Sequence, residues 1–369
     1  MKKKVLALGL VASMVMSLAA CGGSNTKTTQ QAETTTAAAE ETTVAAETPA
    51  AETEAKANFS VAMITDTGGI NDQSFNQSAW EGLQALSDET GAEVNYIESK
   101  QASDFVTNLE RLGDSGAQLL WGVGYACADA VLEAAESNPD KQYAIVDNSY
   151  EDTPANVTGV MFRAQEPSFM VGYVAGKTTQ TNKVGYVGGI ASGLLEQFEY
   201  GYKAGVEYAA KELGKEIEVS AQYAESFSDA AKGKAIASKM YSDGCDVVYH
   251  AAGGSGVGVI EAAKEAGKWA IGVDRDQAYL APDNVLTSAL KLVGKAVKEV
   301  STQAMNGEQI GGQTLTFGLS EDCVGIPEEH KNMPEGVYEA TMEIAEKIKS
   351  GEIQVPASAA EYEQYRANQ

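Results

Sequence analysis

From Phe59 onward the sequence repeats one unit, a short apolar run followed by a turn and an amphipathic helical stretch, for most of the remaining chain. Strands that alternate with helices and are covered by them on both faces point to an α/β fold with mainly parallel sheets. Strand-like runs are Phe59 to Thr65, Glu93 to Ile97, Gln118 to Val123, Tyr143 to Asp147 and Val157 to Phe162, then Lys183 to Val187, Glu218 to Tyr223, Asp246 to His250, Trp269 to Val273 and Val285 to Ala289. They fall into two groups of five, and a chain of 369 residues is long enough to bury two such cores.

The helices start where strands end. Ser74-Phe75-Asn76-Gln77 has the spacing of a capping box, Phe75, Ala79, Leu83 and Leu86 share one face, and Gly91 closes the run. Ser103 before Phe105, Leu109 and Leu112, and Ser228 before Ile236 and Met240, repeat the arrangement. In open α/β sheets ligands bind at these carboxyl ends, so two facing sheets would form a cleft.

Several chemistries are disfavoured. The chain carries 27 Lys+Arg against 52 Asp+Glu, a formal net charge of −25, the wrong sign for binding nucleic acid. Gly253-Gly-Ser-Gly-Val-Gly258 follows a strand, but Val259 and Glu261 stand where a dinucleotide G-x-G-x-x-G needs glycine. A phosphate loop of the Walker type is also missing, so no nucleotide cofactor is expected. The bare backbone at this turn is suited to close approach by a ligand. His250 and His330 have no companion nucleophile and no G-x-S-x-G elbow occurs, so catalysis is not expected; His250 reads as a neutral residue, ligand-facing or structural. Cys21, Cys127, Cys245 and Cys323 lack zinc-site spacing, and no metal is expected. At least one of the three later cysteines should be a buried free thiol.

The N-terminus has its own logic. Lys2, Lys3 and Lys4 precede an apolar run from Val5 to Ala20, the layout of an export signal over residues 1–20. Its end, Leu18-Ala19-Ala20-Cys21, resembles the lipobox of bacterial lipoproteins, in which cleavage leaves Cys21 as a lipidated N-terminus carrying acyl chains such as palmitate. Residues 21–57 are then an unstructured tether rich in Thr, Ala, Glu and Gln. The expected location is the extracytoplasmic face of the cell membrane.

Three segments carry a wider resemblance: Ile64-Thr-Asp-Thr-Gly-Gly-Ile-Asn-Asp-Gln-Ser-Phe-Asn-Gln-Ser-Ala-Trp-Glu-Gly82, Ala251-Ala-Gly-Gly-Ser-Gly-Val-Gly258 and Ile271-Gly-Val-Asp-Arg-Asp-Gln277. Over about residues 59 to 350 the chain resembles the basic membrane protein family of lipoproteins, substrate-binding components of ABC transporters of the purine nucleoside receptor type. The resemblance implies a type I periplasmic-binding fold. One lobe would span 58–164 and 291–318, the other 165–290 and 319–369, joined by hinge crossovers around a nucleoside. It also implies site roles: Phe75 and Phe227 as two faces of an aromatic clamp, Asp66 and Asn76 reading the base edge, and Asp274, Gly253 or Gly254, Lys291 and, more weakly, Asp147 holding the ribose. His250 and Tyr125 depart from the usual pattern and leave base preference open. The implied function is capture of a nucleoside, without chemistry, for delivery to a membrane permease, by a protein expected to be a monomer. A sensory receptor for the same ligand class and, further off, a nucleoside hydrolase are the alternatives.

Overall fold

A computed structural model describes residues 59–368; the expected signal sequence, Cys21 and the tether lie outside the described residues. The first sheet holds β1 (Ser60–Thr65), β2 (Glu93–Ile97), β3 (Leu119–Val123), β4 (Gln142–Val146), β5 (Val157–Phe162) and β11 (Gln313–Phe317) in the order β11-β5-β4-β3-β1-β2, all parallel. Its inner strands are buried at all but one position each, and β3 throughout, hence the unbroken apolar runs such as Leu119–Val123, while β2 at the edge is partly exposed. Helices α1 (Phe75–Thr90), α2 (Phe105–Asp114), α3 (Ala128–Ser137) and, from later in the chain, α8 (Val293–Met305) accompany this sheet. Helices α1 and α8 touch backbone to backbone, because a Cβ at Gly82 would collide with Gly294.

The second sheet repeats the plan with β6 (Lys183–Gly188), β7 (Glu218–Tyr223), β8 (Val247–Ala251), β9 (Trp269–Asp274), β10 (Val285–Lys291) and β12 (Val324–Gly325), ordered β12-β10-β9-β8-β6-β7. Only β12 runs antiparallel. Helices α4 (Gln165–Thr178), α5 (Gly193–Leu213), α6 (Ala230–Ser242), α7 (Ser255–Ala266), α9 (Val337–Lys349) and α10 (Ala359–Ala367) complete the described chain. Each sheet thus has six strands, not five. The sixth is donated from the far end of the sequence, and the two residues of β12 are too few to leave a periodic signal.

The chain crosses between sheets after β5, after β10 and after β11. One knot of contacts gathers all three crossings. The Arg163 amide donates to the Phe317 carbonyl at 2.8 Å and the Leu292 amide to that of Cys323 at 2.8 Å. The Arg163 guanidinium donates to Glu166 at 2.9 Å and also pairs with Glu321. Lys295 Nζ donates to the carbonyls of Glu321 and Asp322, at 3.1 and 3.0 Å.

Cys127, Cys245 and Cys323 are all buried free thiols. Burial pushes the thiols of Cys245 and Cys323 up to about 11, so neither is a ready nucleophile at neutral pH. Among the described residues no helix is long and apolar enough to cross a membrane.

Candidate ligand-binding site

The carboxyl ends of the two sheets meet at one slot with about 560 Å³ of empty space out to its mouth. Little of that space is wide enough for a water molecule, so the slot is thin. The first sheet contributes Asp66 after β1, Gly124 and Tyr125 after β3, and Asp147 after β4, with Phe75 and Asn76 from the start of α1. The second contributes Gly253 after β8, Asp274 at the end of β9 and Lys291 at the end of β10, with Phe227 from the loop after β7. Every site residue expected from the sequence therefore lines the slot except Gly254, which faces the Phe227 carbonyl and Asp72 instead. Of the other lining residues, Leu194, Leu195 and Phe198 lie outside the three resembling segments and carry no sequence signal of a site, and Asp72 lies inside the first segment but is not among the expected site residues.

Asp72 organises the first-sheet side, and it displaces the expected capping box. Its carboxylate accepts from the amides of Ser74 at 2.9 Å, Asn76 at 2.8 Å and Gln77 at 3.1 Å, so the cap of α1 is an aspartate two residues upstream of Ser74. Ser74 makes no side-chain cap and is freed to donate its hydroxyl to Asp274, on the other sheet. Asn76 Nδ2 donates to Asp72 at 3.0 Å and to Asp66 Oδ1 at 2.8 Å, and its carbonyl oxygen accepts from the Asp66 amide at 3.3 Å. Elsewhere Asp229, not Ser228, caps its helix, accepting from the Lys232 amide at 3.1 Å.

Two aspartates occupy matching corners. Asp147 follows β4 and Asp274 ends β9, each the third strand in from the same edge of its sheet, and each has φ 64°. A non-glycine residue in this left-handed region stores strain, which ordinarily marks a functional position. Asp147 forms a buried ion pair with Lys291, whose side chain is 2% exposed. The ammonium also lies 4.7 Å from the ring centroid of Phe75, 5.1 Å from Phe162 and 5.8 Å from Phe198, inside an aromatic cage. Asp147 Oδ1 is buried and has no partner among the described residues, an acceptor left over for a donor from outside.

The rim joins the sheets directly. The wholly buried Gln277 donates from Nε2 to the Gln73 carbonyl at 2.9 Å, while its Oε1 accepts from the Val273 amide at 2.9 Å and lies 3.0 Å from His250 Nε2. The Tyr279 hydroxyl donates to Gln73 Oε1 at 2.6 Å, and Arg275 pairs with Glu81 at 3.1 Å. His250 is completely buried beneath Gly256, where a Cβ would strike its ring, and it does not line the slot. Burial pushes it down to about 4, so at neutral pH it is an uncharged prop for Gln277.

Burial pushes both Asp66 and Asp274 up to about 6. An acid held above its unfolded pKa binds its proton more tightly when folded, so its ionisation costs stability as pH rises from about 4 through 6, and the full cost persists above. Asp274→Asn keeps the shape and removes the ionisation. Without ligand, this variant should gain melting temperature relative to the parent at pH 7.5, with most of the gain gone at pH 4.5. A difference of equal size at both pH values in differential scanning calorimetry would refute ionisation of a buried carboxyl as the cause.

The profile of the Bmp family, described as ABC transporter substrate-binding protein PnrA-like, matches residues 59–359. Basic membrane protein A of Borreliella burgdorferi is 41% identical over 310 residues, covering 83% of this chain and 90% of that protein. The ABC transporter nucleoside-binding protein BmpA of Lactococcus lactis subsp. cremoris is 37% identical over 379 residues, covering 97% and 100%. Among solved structures, an ABC transporter solute-binding protein of Aeropyrum pernix superposes with a TM-score of 0.75 at 27% identity, covering 84% of this chain and 98% of that one. The architecture is the type I periplasmic-binding fold expected from the sequence. With the family profile spanning both sheets and the slot between them, the chain belongs to the Bmp family of ABC transporter substrate-binding proteins, which bind a solute and are not enzymes.

Proposed function

We infer that this protein captures a purine nucleoside between its two sheets at the outer face of the cell membrane and delivers it, unaltered, to an ABC permease. The observation that carries the reading is the composition of one slot: Phe75 and Phe227 from different sheets line it together with the carboxylates of Asp66, Asp147 and Asp274 and the Lys291 ammonium. Aromatic rings suit the faces of a planar base, and carboxylates at strand ends suit vicinal hydroxyls. The two sheets with their helices act as lobes that close on the ligand, hinging at the three crossings tied by Arg163, Glu166 and Glu321. The relative in Lactococcus lactis, named as a nucleoside-binding protein, supports the ligand class. Titration calorimetry of the purified protein should register a purine nucleoside and no heat for ribose alone, and prolonged incubation with inosine should release no hypoxanthine. Free base in that incubation would mean hydrolysis in place of capture.

Cys21 is the proposed anchor and residues 22–57 the spacer between it and the folded body. Acyl chains contribute roughly 0.8 kcal/mol per buried methylene, so two or more on one residue hold a protein on a membrane firmly. Cys21→Ala should move the protein from the membrane fraction to the soluble one with no change in nucleoside affinity. Retention of the variant on membranes washed in high salt would remove the lipid anchor from this account.

A further inference from the structure

Beyond Asp147 the slot opens into a second compartment, with about 610 Å³ of empty space out to its mouth. Tyr125, Asp147 and Leu194 line both spaces, and the second is walled further by the loop after β4, with Ser149, and by the first turn of α5, with Gly193 and Gln197. Asp147 stands at the junction and is the one formally charged residue lining the compartment. Its Oδ2 holds Lys291, and its Oδ1 is the buried oxygen with no partner among the described residues. The wall made by α5 offers donors instead. This helix runs 21 residues, and its cap, the Ser192 hydroxyl, accepts from the Leu195 amide at 3.4 Å. The amides of Gly193 and Leu194 have no partner among the described residues, and a Cβ at Gly193 would meet nothing within 4 Å, so this turn faces open space. Gln197 gives its Oε1 to the Ala164 amide at 3.3 Å, which leaves Nε2 as a further donor.

The two walls ask for opposite halves of one group. A carboxylate oxygen without a partner needs a donor, and the amino end of a long helix carries partial positive charge and favours an anion. We propose that the compartment is a subsite for a zwitterionic extension on the ligand, an α-amino-acid group whose ammonium meets Asp147 Oδ1 and whose carboxylate meets the Gly193 and Leu194 amides. The inference rests on the nucleoside reading and adds a substrate class to it, nucleosides that carry an amino acid at the 5′ carbon, as S-adenosylhomocysteine does. In that reading Asp274 takes the vicinal hydroxyls of the ribose, and Asp147, at the matching corner of the other sheet, is left to the remaining arm of the sugar. Charge sets the selectivity. The Asp147–Lys291 pair is neutral overall, so a zwitterion enters without adding net charge. A 5′-phosphate sets negative charge beside the unpaired oxygen, and a bare amine leaves the helix end unanswered.

The test is calorimetric titration of the full protein with adenosine, 5′-deoxy-5′-methylthioadenosine, S-adenosylhomocysteine and adenosine 5′-monophosphate, for the parent and for Ser149→Trp. The methylthio compound keeps the thioether and lacks the amino acid. S-adenosylhomocysteine should bind the parent at least about tenfold more tightly than the methylthio compound or the monophosphate, from charged hydrogen bonds that only it makes. Ser149 is exposed on the compartment wall, outside the slot, and its side chain makes no hydrogen bond among the described residues. Trp there fills the compartment, so it should cut that advantage at least about fivefold while adenosine affinity stays within about twofold. A parent that binds the methylthio compound or the monophosphate as tightly as S-adenosylhomocysteine overturns the proposal, even if the variant proves too unstable to assay. So does an undiminished advantage in a folded variant. Failure of every adenine probe overturns it too; binding of guanosine or inosine then leaves nucleoside capture intact, whereas no binding of either removes both readings.

Discussion

Replacing Asp274 with Ala is expected to weaken nucleoside binding about a hundredfold while leaving the empty protein at least as heat-stable as before. The affinity loss follows from two hydrogen bonds to a charged acceptor at roughly 1.5 kcal/mol each, about 3 kcal/mol together, or two decades in Kd. The stability half follows from the site itself. Asp274 is 5% exposed, burial pushes its carboxyl up to about 6, and the folded protein carries the cost of ionising it at neutral pH. Its contact with Ser74 offsets part of that cost, and the variant gives up both. A residue that served only the fold would behave in the opposite way, with a lower melting temperature and little change in affinity for a ligand still accommodated. Calorimetry and thermal unfolding on the same preparation separate the two. A variant that binds guanosine as tightly as the parent would strip Asp274 of its ribose role.

Removing either ring of the clamp should cost about 1–3 kcal/mol, the range for base–aromatic stacking, or about 5- to 150-fold in Kd. Leu at position 75 or 227 should harm binding nearly as much as Ala, because it restores apolar volume without a planar face. Phe75→Leu carries a second effect. It removes one wall of the cage around the Lys291 ammonium, 4.7 Å from the ring centroid, so the Asp147 pair loses part of its surroundings as well. The Phe75 variant should therefore suffer more than the Phe227 variant. Purine nucleosides binding both Leu variants as tightly as the parent protein would sink the clamp.

The legible part of this molecule is the part written in runs. Strands such as Leu119–Val123 and Val247–Ala251 are buried on both faces and so apolar without a break. Strand β11, Gln313–Phe317, carries alternating threonines and three exposed positions beside Gly311 and Gly312, and it leaves no comparable signal. The cap of α1 misleads because Ser74 and Gln77 have the right spacing, whereas Asp72 caps from farther upstream through a bent loop in which Gln73 takes φ 57°. An aspartate ahead of a helix is the available clue. The rim is illegible for a different reason. Gln277 meets Gln73 across 204 positions of sequence, and nothing local distinguishes a glutamine that bridges two sheets from one in solvent. Phe198 reads as an ordinary apolar position on α5 until the fold turns its ring toward Lys291.

The rim also bears on how a loaded molecule differs from an empty one when viewed from outside. Its hydrogen bonds are each worth roughly 0.5–1.5 kcal/mol, since water replaces them when the sheets part, so a ligand touching both sides tips the balance. Glu81 and Arg275, partly exposed and drawn from different sheets, pair across the rim beside the Tyr279–Gln73 hydrogen bond, so the lobe motion proposed above would part them. A surface that exists in one state and is torn in two in the other reports occupancy at a distance. Under the proposed capture cycle, that contact is a feature on the outside of the molecule that changes when the slot fills.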